Sequence, residues 1–253
     1  MFPVSRLRSR SRSKVSVAFW TPAQITTALW LDAADASTIT LNGSTVSQWN
    51  DKSGNGNNAT QSTAANQPTY QATGLNSRPT LSFDGSVDGF NLTSGVAAPR
   101  SIYVVDSGFG YLFSAATERI AFGTSVTANT LSWTANSNTP IINAATITGR
   151  TNSTIQFEGF DLSSTAYAYW LDGTSTVSGT GTYPANSFNR IGLKWDSATS
   201  IPNWTGRVSE IIMTSSVLST QNRQLIEGYL AWKWGLQSDL PVGHPYKNAP
   251  PTV

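Results

Sequence analysis

The sequence contains no cysteine, which excludes disulfides and thiolate metal sites. It contains one histidine, His244, too few for a zinc site, which needs three or four nitrogen or sulfur ligands. Charged residues make up only 12% of the chain, about half the usual share. No apolar run approaches the roughly 18 residues of a membrane-spanning helix. No period of about 20–50 residues marks a solenoid or propeller. Phosphate-cradling and dinucleotide-binding glycine patterns are missing as well. A secretory signal is not expected, because the apolar stretch Val15–Trp20 is shorter than the roughly 7–15 residues such a signal uses.

What stands in place of charge is Ser, Thr, Asn and Gly, together with nine Trp, eight Tyr and ten Phe. That aromatic content supplies ample apolar area to bury, so low charge here does not mean disorder. A chain of 253 residues can bury roughly 70–75% of its unfolded surface without staples. The charge it does carry is unevenly placed. Arg6, Arg8, Arg10, Arg12 and Lys14 hold five of the 16 basic residues, and without them 11 basic residues face 14 acidic ones, a net charge of −3. Residues 1–18 therefore read as a basic extended arm, residues 19–236 as one domain and residues 237–253, with their prolines, as an extended tail.

Within the domain, Thr21-Pro22 reads as a helix cap followed by Pro at the first helical position, and β-branched Ile25, Thr26 and Thr27 keep that helix short. Leu29-Trp30-Leu31 reads as a strand, and Asn42-Gly43 as the turn of a hairpin that returns to Trp49. Asp51 to Asn58 is a loop dense in Gly and Asn, suited to hold a cation or a sugar or simply to turn the chain. Short strands then recur: Thr80–Phe83, Gly89–Leu92, Ser101–Val105, Tyr111–Phe113, Arg119–Phe122, Thr130–Trp133, Ile141–Ile142, Thr154–Leu162, Ala166–Leu171, Asn189–Leu193 and Gly206–Thr214. Such spacing argues for a sandwich or barrel. One segment is different: residues 219–235 place Leu225, Ile226, Tyr229, Leu230 and Trp234 at three- and four-residue steps, with Ser219 or Thr220 to cap the start and Gly235 to end it. Gly228 inside this helix costs about 1 kcal/mol, which predicts close packing of the helix against the sheet.

Several of these stretches carry a resemblance. Leu29-Trp30-Leu31-Asp32-Ala33-Ala34-Asp35, the loop from Asp51 to Gln61, Arg78 to Gly85, Gly206 to Ile212, and the helix Arg223–Leu236 followed by Leu240-Pro241-Val242-Gly243-His244-Pro245-Tyr246 resemble concanavalin A-like jelly rolls of the laminin-G type. The ending is similar to domains of bacteriophage structural proteins and large bacterial surface proteins. The resemblance covers residues 20–92 and 204–248. It implies an all-β, two-sheet antiparallel jelly-roll sandwich with one C-terminal helix.

The chemistry available to such a domain is restricted. A jelly-roll glycoside hydrolase sets two carboxylates roughly 5–9.5 Å apart. Here the only glutamates are Glu118, Glu158, Glu210 and Glu227, none has an acid two positions away, and Glu158 and Asp161 point to opposite faces of a strand. Only a pair assembled across strands remains open, so no enzyme is expected. His244, between Gly243 and Pro245, is expected to fix a turn. Calcium is the one metal left open, with Asp51, Asn55, Asn57, Asp84 and Asp88 as candidate oxygen ligands. The same residues suit turns. Trp30, Trp49, Trp170, Trp232 and Trp234 are expected in the core, leaving Trp133, Trp195 and Trp204 as candidates for stacking on a sugar. The arm is expected either to stay solvated or to dock on a protein partner; its interleaved serines give nucleic acid no stacking platform.

These features lead to a non-enzymatic bacteriophage virion protein, a capsid-decoration or tail-associated subunit present in many copies. Its arm and tail would contact other virion proteins. The alternative is a carbohydrate-binding or adhesion module for host-surface glycans, on a virion or a bacterial cell.

Overall fold

A computed structural model describes residues 17–97, 100–115, 118–122, 130–135, 139–181, 187–194 and 203–253. Arg6, Arg8, Arg10, Arg12, Lys14 and Trp195 lie outside the described residues, as does the side chain of Trp133.

Thr21 and Pro22 open a single 3-10 turn, Pro22–Gln24, as short as the following β-branched residues require. The strands follow in order: β1 Leu29–Asp32, β2 Ile39–Asn42, β3 Thr45–Trp49, β4 Ala59–Thr60, β5 Thr69–Leu75, β6 Arg78–Asp84, β7 Phe90–Ala97, β8 Arg100–Ser114, β9 Glu118–Phe122, β10 Thr130–Ala135, β11 Thr139–Thr146, β12 Gln156–Leu162, β13 Ala166–Leu171, β14 Thr174–Thr180, β15 Ser187–Ile191 and β16 Thr205–Met213. One helix, α1 Thr220–Trp234, closes the series. The β2–β3 hairpin turns where Asn42-Gly43 places it, with Asn42 paired to Thr45 and Gly43 at φ +66°.

Hydrogen bonds do not divide these strands into two sheets. They run from β8 to β16, β6, β5, β3, β4, β7 and β15 and return to β8, a closed ring of eight. Strand β1 extends from β16, and β12, β13 and β14 from β8, while β9, β10 and β11 continue from the other half of β8. The all-β fold with one C-terminal helix is as expected, while the strands form this closed barrel with branches, which does not divide clearly into the two sheets expected. The physical reason lies in β8 and β16. Ser101–Val105 and Tyr111–Phe113, expected as separate strands, are two halves of β8, which bends at Gly108 and Gly110 and changes neighbours along its length. Gly108 pairs with Gly206 of β16. A Cβ on Gly206 would lie 2.5 Å from the Gly108 Cα, so the two strands can cross this closely only with glycine at both positions.

Two apolar clusters line the two faces of the β8–β12–β16 region. The inner one contains Leu31, Trp49, Phe83, Phe90, Val104, Phe160, Trp204 and Ile211. The outer one contains Trp30, Tyr103, Phe157 and Ile212 beneath Ile226, Leu230 and Trp234 of α1. The helix has the expected ends: the Ser219 hydroxyl accepts the Asn222 N–H at 3.2 Å, and Gly235 takes φ +74°. Asn76, at the β5–β6 turn, donates from Nδ2 to the Trp234 carbonyl and satisfies a second group at that end.

The helix is bolted to the sheet by buried Glu210. Its Oε1 accepts from Trp30 Nε1 at 2.7 Å and the Tyr229 hydroxyl at 2.9 Å; its Oε2 accepts from Trp234 Nε1 at 2.6 Å and pairs with Lys233 Nζ at 2.8 Å. Lys233 continues to Asp32, and Asp32 to Lys52 and on to Asp35. Burial raises the Glu210 carboxyl above its ordinary range, and Lys233 opposes that rise. The tail then covers the helix. A Cβ on Gly228 would sit 2.6 Å from the Tyr246 Cβ, so the close packing expected there is against the tail and not the sheet. His244 fixes a turn as expected, accepting the Tyr246 N–H, and also meets Glu227 at 3.1 Å. Phe19 and Thr252 form a β-bridge that ties the two ends together.

Candidate functional site

Two concave places among the described residues are candidates for a ligand. The first, about 280 Å³, is lined by Phe19, Trp20, Tyr229, Trp232, Pro250 and Pro251, with Thr21 and Lys233 as its polar members. Three of its side chains have their polar atoms engaged within the fold. Trp232 Nε1 donates to the Tyr246 carbonyl, Lys233 Nζ is held by Asp32 and Glu210, and the Thr21 hydroxyl donates to Gln24. A polyhydroxylated ligand placed there would lose its water for few hydrogen bonds in return.

The second is a groove of about 370 Å³ whose walls come from four separated segments: Thr26, Thr27 and Ala28 before β1; Asn55 and Asn57 in the Gly/Asn loop; Ser94 to Ala97 in β7; and Ser215 after β16. Asp51 organises the loop. Its Oδ1 accepts the N–H groups of Trp30 and Ser53, and its Oδ2 accepts the Ser53 hydroxyl and the Asn57 N–H. Asn55 and Asn57 are then oriented by the chain beside them. Asn55 Nδ2 donates to the Thr27 carbonyl at 2.8 Å, and Asn57 Nδ2 to the Ala28 carbonyl at 2.8 Å. A carbonyl only accepts, so each amide must present its nitrogen there and its Oδ1 on the other side. Opposite the loop, β7 bows away from β15 through a register shift between Asn91 and Val96, which leaves Ser94 and Gly95 exposed. A Cβ on Gly95 would lie 2.6 Å from the Ser187 Cβ, so the bowed strand needs glycine to stay close to its neighbour. The groove thus combines two oriented carboxamides with the hydroxyls of Thr26, Thr27, Ser94 and Ser215, above the methyl groups of Ala28, Val96 and Ala97.

The carboxylates expected as calcium ligands are engaged by hydrogen-bond donors of the protein itself. Calcium takes six to eight oxygens, carboxylates prominent among them. Asp51, the acid of the first loop, has both oxygens filled by N–H and O–H donors. In the second loop Asp84 Oδ1 accepts from the N–H groups of Ser86, Val87 and Asp88, and Asp88 Oδ2 accepts the Asp84 N–H. Burial and the neighbouring Asp84 push the Asp88 carboxyl up to about 6. These residues form turns, Asp84 and Asp88 do not line the groove, and no group of three or more His, Cys, Asp or Glu placed to hold a metal ion occurs among the described residues.

Trp204, a stacking candidate by sequence, is fully buried. Its backbone N–H donates to the Gly192 carbonyl, and its ring occupies the space left by Gly108, where a Cβ would come within 2.9 Å of it. It is therefore corrected from a binding surface to core. Trp30, Trp49 and Trp234 are buried as expected, whereas Trp170 and Trp232 are only half-buried, Trp170 beneath the Arg223 guanidinium at 4.7 Å.

Carboxylates do meet across strands, but inside the barrel. Asp106 of β8 pairs with Gln156, two residues from Glu158 on β12, and both acids are fully buried. Arg150 Nε donates to Glu158 at 2.7 Å, and Arg150 Nη2 lies 3.6 Å from Asp106. Burial first, and Glu158 second, hold the Asp106 carboxyl well above its ordinary range. Neither acid lines either of the two grooves.

No protein-family model matches the chain, and no curated protein matches it in sequence. Solved structures do share its fold. Domain 4 of AbnA, an extracellular GH43 arabinanase from Geobacillus stearothermophilus in complex with arabinotriose, superposes with a TM-score of 0.53 at 14% identity, covering 77% of this chain and 94% of that one. The binding domain of Paraclostridial Mosquitocidal Protein 1 gives 0.52 at 10% identity, over 80% and 52% of the two chains. Trypanosoma rangeli sialidase in complex with sialic acid gives 0.51 at 12%, over 82% and 33%. The chain thus spans nearly all of the arabinanase domain but only about half and a third of the other two. At these identities the likeness is one of fold.

The sequence pointed to Asn55 and Asn57 but to none of the hydroxyls that face them. Thr26, Thr27, Ser94 and Ser215 carry no local signal in a chain rich in Ser and Thr. The nearest hint is Gly95 inside an alternating strand, a pattern that marks bulges.

Proposed function

We propose that this chain is a non-catalytic carbohydrate-binding module that holds a short glycan in the groove between the Gly/Asn loop and the bowed part of β7. The observation that carries this reading is the orientation of Asn55 and Asn57. Both amides are fixed from behind by backbone carbonyls and offer Oδ1 as an acceptor, beside four hydroxyls that both donate and accept. Sugars present hydroxyls with the same dual character. The volume lies near the lower end of the roughly 300–1,000 Å³ typical of ligand pockets, which suits one or two sugar units. The fold shared with an arabinanase domain in complex with arabinotriose supports the same reading. The sealed position of Asp106 and Glu158 supports binding without hydrolysis. The virion setting expected from the sequence rests on the resemblance of the two chain ends and draws nothing from these solved structures.

The test is retardation of the full chain in gels containing neutral polysaccharides, with Ser94→Trp as the reference. Trp at this exposed position fills the groove without entering the core. Retardation of the parent and free migration of the folded variant are expected. Equal migration of both in every gel would remove the proposal.

A further inference from the structure

On that reading of the groove, we infer that its ligand is an uncharged sugar and that acidic sugars, carrying a carboxylate or sulfate, are selected against. The groove is lined by Thr26, Thr27, Ala28, Asn55, Asn57, Ser94, Gly95, Val96, Ala97 and Ser215, with no ionisable side chain among them. An anion drawn out of water needs a cation or several converging N–H donors. The groove presents the reverse. The amide nitrogens of Asn55 and Asn57, its strongest side-chain donors, are engaged by the carbonyls of Thr27 and Ala28, which leaves their oxygens as the acceptors open to a ligand. Behind them sits the Asp51 carboxylate, which accepts the Asn57 N–H and adds negative potential to the same wall. The cation nearest in sequence, Lys52, is held by Asp32 and Asp35 at 3.0 and 2.8 Å and stacks over Trp30, on the other side of the loop.

A neutral sugar meets these features without penalty. Its hydroxyl hydrogens go to the two amide oxygens, its hydroxyl oxygens accept from Thr26, Thr27, Ser94 and Ser215, and its C–H face lies over Ala28, Val96 and Ala97. The side chains of the groove make the selection.

The experiment is a glycan array on the full chain, built from pairs that differ only by a sialyl or sulfate group. The expected result is binding of the neutral members with a preference of about tenfold or more over their acidic partners, as the loss of a satisfied polar contact implies. Ser94→Trp, and independently Ser215→Trp on a separate segment, should abolish that binding while the melting transition is retained. Ser94→Lys should narrow the preference by supplying the missing cation. Acidic members bound as well as or better than neutral ones would overturn the inference and leave the carbohydrate-binding reading standing. A preference unmoved by Ser94→Lys, or binding that survives both Trp variants, would overturn it by placing recognition elsewhere. A silent array would overturn the carbohydrate-binding reading and this inference with it.

Discussion

The aromatic hollow and the polar groove differ in where their polar side-chain atoms point. Around the aromatic one, Trp232, Lys233, Tyr229 and Thr21 direct their polar atoms back into the protein, to Tyr246, Asp32, Glu210 and Gln24. Around the polar one, Asn55 and Asn57 are fixed from behind and direct an unused oxygen outward. Aromatic density alone would have favoured the first as a sugar site. The direction of the hydrogen bonds makes it architecture, the seam between helix, tail and both chain ends, and makes the quieter groove the place for a ligand.

If the aromatic seam is architecture, removing its central acceptor should cost stability and nothing else. Glu210→Ala leaves three buried donors and Lys233 without their common partner. A loss of about 3–5 kcal/mol is expected, as for other buried ion pairs broken on one side, read as a lower midpoint in urea unfolding. Glycan affinity measured where the variant remains folded should be unchanged. A large loss of affinity in a folded Glu210→Ala protein would break the contrast between the two sites.

Titration separates the same two regions. Burial, with a further push from Asp239, raises the Asp172 carboxyl to about 7 from its ordinary 3.8, despite the Phe157 N–H that it accepts. Asp161, beneath the helix side, is raised to about 6 by burial, with the Ser101 hydroxyl opposing. Between about pH 4 and 7 the folded chain therefore keeps protons that the unfolded chain has released. This stabilisation is complete below about pH 4 and is lost as the pH rises through 6 and 7. Allowing for the partial exposure of Asp172, its share is on the order of 2 kcal/mol. Asp172→Asn keeps the turn, because Asn tolerates the φ of +49° and still accepts from Phe157. It should flatten that part of the stability profile. The groove has no titrating side chain, so affinity should stay level across the same range.

Packing at the tail gives a smaller effect whose sign is diagnostic. Ala is a better helix former than Gly by about 1 kcal/mol, yet a Cβ at position 228 meets three atoms of Tyr246 within 2.8 Å. Overpacking of this kind costs about 1–3 kcal/mol, so Gly228→Ala should lower the melting temperature. In a Tyr246→Gly background, which removes all three of those atoms, the same substitution should raise it. A destabilisation that persists there would place the constraint in the sheet, where the sequence had located it.

That misplacement illustrates what sequence reveals here. Helix α1 was readable because its apolar spacing, Ser219 and Gly235 agree. The turn at Asn42-Gly43 was readable because the dipeptide carries its own backbone preference. Strand β14, Thr174–Thr180, has almost no apolar side chain to mark a face and went unseen. Strand β8 was divided because Gly108 and Gly110, which let it bend and stay paired, look the same as glycines that end a strand. Trp204 appeared exposed because it follows a turn, and its burial depends on a glycine almost a hundred residues earlier. The groove failed for the same reason as the barrel closure: its walls come from segments whose proximity is set by pairing between distant strands. Only the Gly/Asn loop, a local object, was visible, and its oxygens suggested a cation because nothing local says which of them are already occupied.

The smallest expected effect concerns that loop. Asn55→Ala removes one oriented acceptor from an exposed position and should weaken a neutral glycan by about three- to tenfold, the cost of one hydrogen bond. Calcium removal should have no effect at all. Both Asp51 oxygens accept from N–H and O–H donors, and binding a cation there would require breaking the contacts that shape the loop. Titration of the glycan in excess chelator and in millimolar calcium should give the same affinity. Affinity that rises with calcium would require Asp51 to release those donors, and the orientation of Asn57, which rests on the same carboxylate through its N–H, would then belong to a metal-free form alone.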